Sequence, residues 1–172
     1  MGKSFVPAGF TAPLSVDTPD FILRKLTTAV NHLDYEAVMS SKESLRRVFS
    51  ADDDWPRDEM TLEENDQDLL GHEEDFAARR GFTYTVLSPT EDSCWGCVYI
   101  YRWQGTQYDA QVYYWVRDSV KPMGLEEKLG DFLHQWLAEA WPLQTPAFPG
   151  REIAWEVWEA LQQEAKAKNE EN

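Results

Sequence analysis

The strongest constraint on this chain lies between Phe82 and Leu137, where three short apolar-aromatic runs are followed directly by a helical one. FTYTVL (82–87) and CVYIYR (97–102) are separated by the turn-rich SPTEDS, an arrangement that predicts a hairpin. YDAQVYYWVR (108–117) follows a turn containing Gly105 and supplies a third strand. GLEEKLGDFLHQWLAEAW (124–141) then places Leu125, Leu129, Phe132, Leu133, Trp136, Leu137 and Ala140 on one face at helical spacing. Three meandering strands feeding a helix through a polar loop form a candidate cofactor seat, because a helix start offers free backbone N–H groups and a positive dipole end.

The flanking segments complete the pattern. Residues 1–19 hold Pro7, Gly9, Pro13 and Pro19 without an apolar period, and read as an extended or disordered leader. DFILRKLT (20–27) is a short strand, and Leu33, Ala37, Val38, Leu45, Val48 and Phe49 fit a helix or helix pair. After the break SADDDWPRDEM, Thr61 and Glu64 form a capping box that should start a helix running to about Arg80, with Gly81 as its left-handed terminator. Beyond the central unit, Pro142, Pro146 and Pro149 bar a regular central strand, although LQTPAF suits a short edge or diverging one. A last helix is expected over 151–168, on Ile153, Ala154, Val157, Trp158 and Leu161, with residues 169–172 as a frayed tail. One domain over 20–168 follows, of mixed α/β (α+β) class with helices flanking the sheet.

With 16 Lys and Arg against 31 Asp and Glu, the net charge is −15, so phosphate backbones and anionic membranes would be repelled by most of the surface. Nucleic acid and membrane are thereby excluded as expected partners. A cationic amine would be attracted. No run of about 18 apolar residues occurs and the start lacks a signal-peptide core, which predicts a cytoplasmic protein. Gly2 lacks the Ser or Thr that myristoylation wants, since position 6 is Val. Cys94-Trp-Gly-Cys97 has redox spacing but opens a strand rather than a helix, so it reads as two strand-entry cysteines. His32, His72 and His134 are scattered, and no metal site is expected.

The order of strand, helix or helix pair, helix, three meandering strands, helix, strand and helix resembles the GNAT superfamily of N-acetyltransferases, over about residues 20–160. The resemblance implies an acetyl-CoA seat where the fourth and fifth strands splay, with pantetheine along the fourth-strand backbone and pyrophosphate on the next helix start. YDAQVYYWVR matches that fourth strand, and Ala154-Trp-Glu-Val-Trp-Glu159 is similar to the family's A-x-x-[LF]-Y-E segment. The register of the pyrophosphate motif, [QR]-x-x-G-x-[GA], that keeps the final small residue is Leu125 to Gly130. It puts Leu125 in the first position and Lys128 at the middle Gly, with Glu126 and Glu127 opposing a polyanion and Lys128 and Lys121 partly offsetting them. The implied cofactor-binding residues are therefore Trp115, Val116, Arg117, Leu125, Lys128, Leu129 and Gly130. Trp158 stands where many members place a Tyr general acid, and an indole N–H is not an acid at neutral pH. The final hairpin of many members is missing after Leu161.

For transfer of an acyl group to a small-molecule amine, Asp109 is the candidate general base, with Glu73 and Glu74 behind it. Tyr114 or Tyr113 could replace the missing acid, one of them facing the cleft because strand side chains alternate. The alternative reading is a GNAT-fold protein without catalysis that binds a ligand or partner. A third is an acidic interaction protein whose exposed aromatics, drawn from eight Trp, seven Tyr and eight Phe, pair two copies as a homodimer.

Overall fold

The computed structural model of the protein describes residues 5–171. Six strands form one sheet in chain order: β1 (Ser15–Asp17), β2 (Ile22–Lys25), β3 (Gly81–Leu87), β4 (Cys94–Tyr101), β5 (Ala110–Val116) and β6 (Pro146–Ala147). Neighbours are antiparallel up to β5, and only β5 and β6 run parallel. The helices are α1 (Asn31–Ser40), α2 (Lys42–Leu45), α3 (Leu62–Ala77), α4 (Leu125–Ala140) and α5 (Trp155–Glu171).

Both faces of the sheet are covered, which explains why its central strands are apolar throughout rather than alternating. Phe82, Tyr84, Val98, Ile100, Val112 and Tyr114 point to the side packed by Leu125, Leu129, Leu133 and Leu137 of α4. Cys97, Tyr99, Tyr113 and Trp115 point to the side packed by α1 and α3 through Ala37, Val38 and Leu69. The aromatics of the meander therefore lie under helices. Leu14, Leu62, Leu70, Met123 and Val157 are the exposed large apolar side chains among the described residues, and none of them is aromatic.

Three expectations about the ends of elements are corrected. Of the leader expected over 1–19, residues 1–4 lie outside the described residues, and the rest is built into the domain. Val6 and Ala12 are core residues, Ser15–Asp17 pairs with β2, and the Tyr84 hydroxyl donates to the Pro13 carbonyl at 2.7 Å. The apolar residues of this segment are too widely spaced to show a period, yet its two phenylalanines find aromatic partners: Phe5 on Phe82 and Phe10 on Trp141. Thr61 caps α3 as expected, its hydroxyl accepting from the Glu64 N–H at 3.1 Å, while the Glu64 carboxylate pairs with Arg57 instead of closing the box. The left-handed residue that ends α3, however, is Arg79 (φ 62°), while Gly81 opens β3, where an added Cβ would meet the Tyr101 ring at 2.7 Å. The tail expected over 169–172 is helical as far as Glu171, and Asn172 lies outside the described residues. No strand follows α5 among the described residues.

Candidate active site

β5 and β6 are paired only at Ala110–Pro146 and Gln111–Ala147. Pro146 and Pro149 have no N–H to extend the ladder, and Gly150 at φ 77° turns the chain away. The two strands therefore part, leaving a cavity of about 200 Å³ between Tyr113–Val116 and Pro149–Arg151. The Arg117 N–H donates to the Trp95 carbonyl on the β4 side at 2.8 Å. By strand alternation, Val112, Tyr114 and Val116 then turn their N–H and C=O groups toward the gap. The Tyr114 carbonyl confirms the assignment, since it accepts from Arg151 across the gap at 2.8 Å.

The start of α4 closes one end of this cavity through Glu126, and Lys121 of the preceding 3-10 turn lies beside it. Gly124, at φ 74°, is the N-cap residue, and no side chain caps the first turn, so the N–H groups of Leu125, Glu126 and Glu127 stay free of an internal side-chain acceptor. This corrects the motif register. The helix begins where Lys121-Pro-Met-Gly124-Leu-Glu126 would set Lys121 at the Gln/Arg position and Gly124 at the middle Gly, with Glu126 in place of the last small residue. Gly130 lies within α4, where an added Cβ would come 2.6 Å from the Tyr114 hydroxyl. Its smallness accommodates Tyr114. Leu125 and Leu129 point their side chains into the core, and Lys128 pairs with Asp20 at 3.5 Å without lining the cavity.

Three cations, Arg47, Lys121 and Arg151, line the cavity against one carboxylate, Glu126. In a chain of charge −15 that is a local reversal of sign. Arg151 is held by Glu126 at 3.0 Å and by the Tyr114 ring, 3.7 Å from its centroid. Nothing in the sequence periodicity marks Arg151. The signal available was its place directly after Pro149-Gly150, a turn that aims it back at β5.

The other expected site residues divide. Tyr114 and Val116 line the cavity, the first also with its backbone. Trp115 has its indole turned to the opposite face, donating to the Tyr99 hydroxyl at 3.0 Å. Arg117 is a clasp: its guanidinium donates to Glu36 at 2.5 Å, to the Cys94 carbonyl and to Ser40, tying α1 to β4. Asp109 lies at the closed end of the β5–β6 pair, where its carboxylate accepts the backbone N–H groups of Gln144 (2.6 Å) and Thr145 (3.1 Å). It does not line the cavity. Glu73 accepts the Thr28 N–H at 2.5 Å and Glu74 is exposed, so neither reaches it. Cys94 and Cys97 are both buried and free, and burial pushes the Cys94 thiol up to about 12, as expected for structural thiols. No cluster able to hold a metal ion occurs among the described residues.

Tyr113 also borders the cavity, on the α1–α3 face. Its hydroxyl donates to Gln111 at 2.6 Å, and burial raises its pKa to about 12, an effect partly opposed by the neighbouring Trp158 indole. The phenol is therefore protonated at neutral pH. Trp158 is itself packed against Trp103 and Tyr108 and presents no acid to the gap.

No family model matches the chain, and no curated protein matches it in sequence. Solved structures do match. A ribosomal-protein alanine acetyltransferase from Vibrio fischeri superposes with a TM-score of 0.62 at 18% identity, over 87% of this chain and 82% of that one. A Vibrio cholerae protein named for ribosomal-protein-serine acetyltransferase activity gives 0.58 at 16% identity, over 73% and 67%. The microcin self-immunity acetyltransferase MccE, solved with acetyl-CoA and AMP, gives 0.57 at 11% identity, over 72% and 67%. The chain therefore has the fold of these acetyltransferases, the GNAT fold.

Proposed function

We propose that the protein is an acyl-CoA-dependent N-acyltransferase, working at the gap between β5 and β6 on a small-molecule amine in the cytoplasm. The observation that carries this reading is the combination of an unpaired β5 backbone edge with three cations around an uncapped helix start, in an otherwise acidic chain. An extended amide-bearing arm can pair with the N–H and C=O groups of Tyr114 and Val116, while Lys121, Arg47 and the first N–H groups of α4 face its phosphates. Arg151 must leave the Tyr114 carbonyl for that pairing, and its guanidinium is then free to meet a phosphate.

The acyl thioester supplies an activated carbonyl carbon: the amine nitrogen bonds to it, the carbon–sulfur bond breaks, and the amine proton is balanced by protonation of the departing thiolate. Alignment and backbone polarisation contribute most of the acceleration in such a transfer. Tyr113, a protonated phenol near Trp158, the residue at the position where the resemblance implies a tyrosine acid, is assigned the proton donation. Tyr113→Phe should lower kcat by roughly 10- to 100-fold while leaving the KM for acyl-CoA nearly unchanged. An unaltered kcat would remove Tyr113 from the mechanism.

Calorimetry with acetyl-CoA, against ADP as a ligand lacking the pantetheine arm, tests the seat. Binding that needs the arm supports it, and no acetyl-CoA binding at millimolar concentration favours the alternative, a fold that binds partners or ligands without catalysis. Glu126→Gln should tighten acetyl-CoA by roughly fivefold, corresponding to about 1 kcal/mol of relieved repulsion at the helix start. Glu127→Gln, at an exposed position outside the cavity, should leave affinity unchanged. Equal effects of the two would show that the phosphates do not approach the Glu126 side.

A further inference from the structure

On the other side of the segment that walls the gap lies a second cavity, of about 320 Å³, between α1, α3 and the sheet. Val48 borders the first cavity and Phe49 the second, and Phe49 packs on Tyr113 with ring centroids 5.3 Å apart. The packed rings of Tyr113, on the first cavity, and Phe49, on the second, stand between the two spaces. Their charges are opposite. Lys and Arg are absent from the lining of the second cavity, which carries Asp34, Asp53 and Asp68 instead.

Aromatic faces make up much of the rest. Phe49 meets Trp55 at 5.5 Å and Tyr99 at 4.8 Å, both edge-on, and Tyr101 and His72 each flank Tyr99 at about 6 Å. Asp34 is 3% exposed, and its protein partner is the amide of Asn65 at 2.8 Å. Neither it nor Asp68 forms an ion pair among the described residues. A carboxylate this buried normally has a cationic partner, and here the protein supplies none. His72 cannot supply one, because burial lowers its pKa and leaves the imidazole neutral at pH 7. Aromatic rings lining a cavity beside a buried carboxylate that has no ion-pair partner suit one ligand chemistry: a positive nitrogen on an apolar body.

We propose that this cavity is the seat of a small organic ammonium ion, whose nitrogen meets Asp34 and whose apolar body lies among Phe49, Trp55 and Tyr99. Its affinity for a cation stands independently of acyl transfer; its role as the acceptor seat rests on the function proposed above. The volume fits one ring or a short branched chain and leaves little room for a folded peptide segment.

The test is calorimetric titration of the full chain with phenethylammonium, its neutral counterpart 2-phenylethanol, and a short peptide amide with a free N-terminus. Phenethylammonium should bind at least about tenfold more tightly than the alcohol, the margin expected of a desolvated cation on aromatic faces. Asp34→Asn, which conserves shape and an acceptor for Asn65, should erase that margin, whereas Trp55→Leu should weaken both ligands. Equal binding of the amine and the alcohol, or no binding of either to the unaltered protein, overturns the proposal. Tighter binding of the peptide than of phenethylammonium overturns the assignment to a small ligand. A separate acetyl-CoA titration keeps the two readings apart: cation binding without acetyl-CoA binding sinks the acyltransferase and leaves this site, and the reverse result does the opposite.

Discussion

Asp34→Asn should make the protein more stable at pH 8, by up to roughly 3 kcal/mol, and should leave it unchanged near pH 3. Burial is the main reason that the Asp34 pKa rises from 3.8 to about 6, with nearby Asp68 adding to the rise and the Asn65 hydrogen bond opposing it. Below about 3.8 the folded and unfolded chains both hold the proton, so the carboxyl carries no ionisation penalty. Between 3.8 and 6 the unfolded chain releases it first, and stability falls; above about 6 both are ionised and the whole penalty remains. Asparagine never ionises and keeps an oxygen to accept from Asn65. Urea midpoints across this range check the prediction, and a gain of 3 kcal/mol would raise Tm by roughly 6–12 °C in a chain of this size. A gain of equal size at both ends of the range, or a loss at pH 8, would show that Asp34 is not ionised against a cost. The expected combination of higher stability with lost cation preference is what distinguishes a residue held for binding from one held for packing.

Asp34 also shows where the sequence stopped being informative. The strands of the meander and α4 were legible because apolar side chains repeat there at the period of the element, and both faces of the sheet needed covering. The second cavity has no such period: its acids and aromatics come from α1, from the irregular stretch holding Phe49 and Trp55, from α3 and from β4. One local signal existed. Asn65, Leu69, His72 and Phe76 recur along the inward side of α3, so polar groups interrupt a stripe that should be apolar. His72 had no partner at metal-ligand spacing, and a search by spacing within one element passes over a group whose neighbours lie on other elements. The misplaced register at α4 has a similar cause. Gly130 satisfied a small-residue motif, but its smallness accommodates Tyr114 across the core, while Gly124, with φ 74°, marks the true helix start.

The largest loss is expected at Gly96. Gly96→Ala should destabilise the fold by at least about 3 kcal/mol, lowering Tm by roughly 6 °C or more. Opposite Val86 and Leu87 the ladder pairs Gly96 and Cys94 and skips Trp95, so β4 bulges there. The bulge brings Gly96 against β5, where an added Cβ would fall well inside contact distance of the Trp115 carbonyl oxygen. That obstacle is backbone in a paired strand, so no rotamer change relieves it, and β5 must move at Trp115 and Val116. The Cys94-Trp-Gly-Cys97 spacing thereby acquires a structural meaning: the small residue lets two strands cross closely, and the flanking thiols fill the buried space beside it. Because Val116 forms a wall of the proposed acyl-CoA seat, Gly96→Ala should weaken acetyl-CoA as well as lower Tm. Cys94→Ala, which leaves the backbone crossing intact, provides the contrast. It should cost less, about 1–2 kcal/mol for a small buried side chain, and leave acetyl-CoA affinity unchanged. A Gly96→Ala protein that melts with the unaltered chain would show that β4 and β5 are not held this closely, and the geometry assigned to the gap beside them would fail with it.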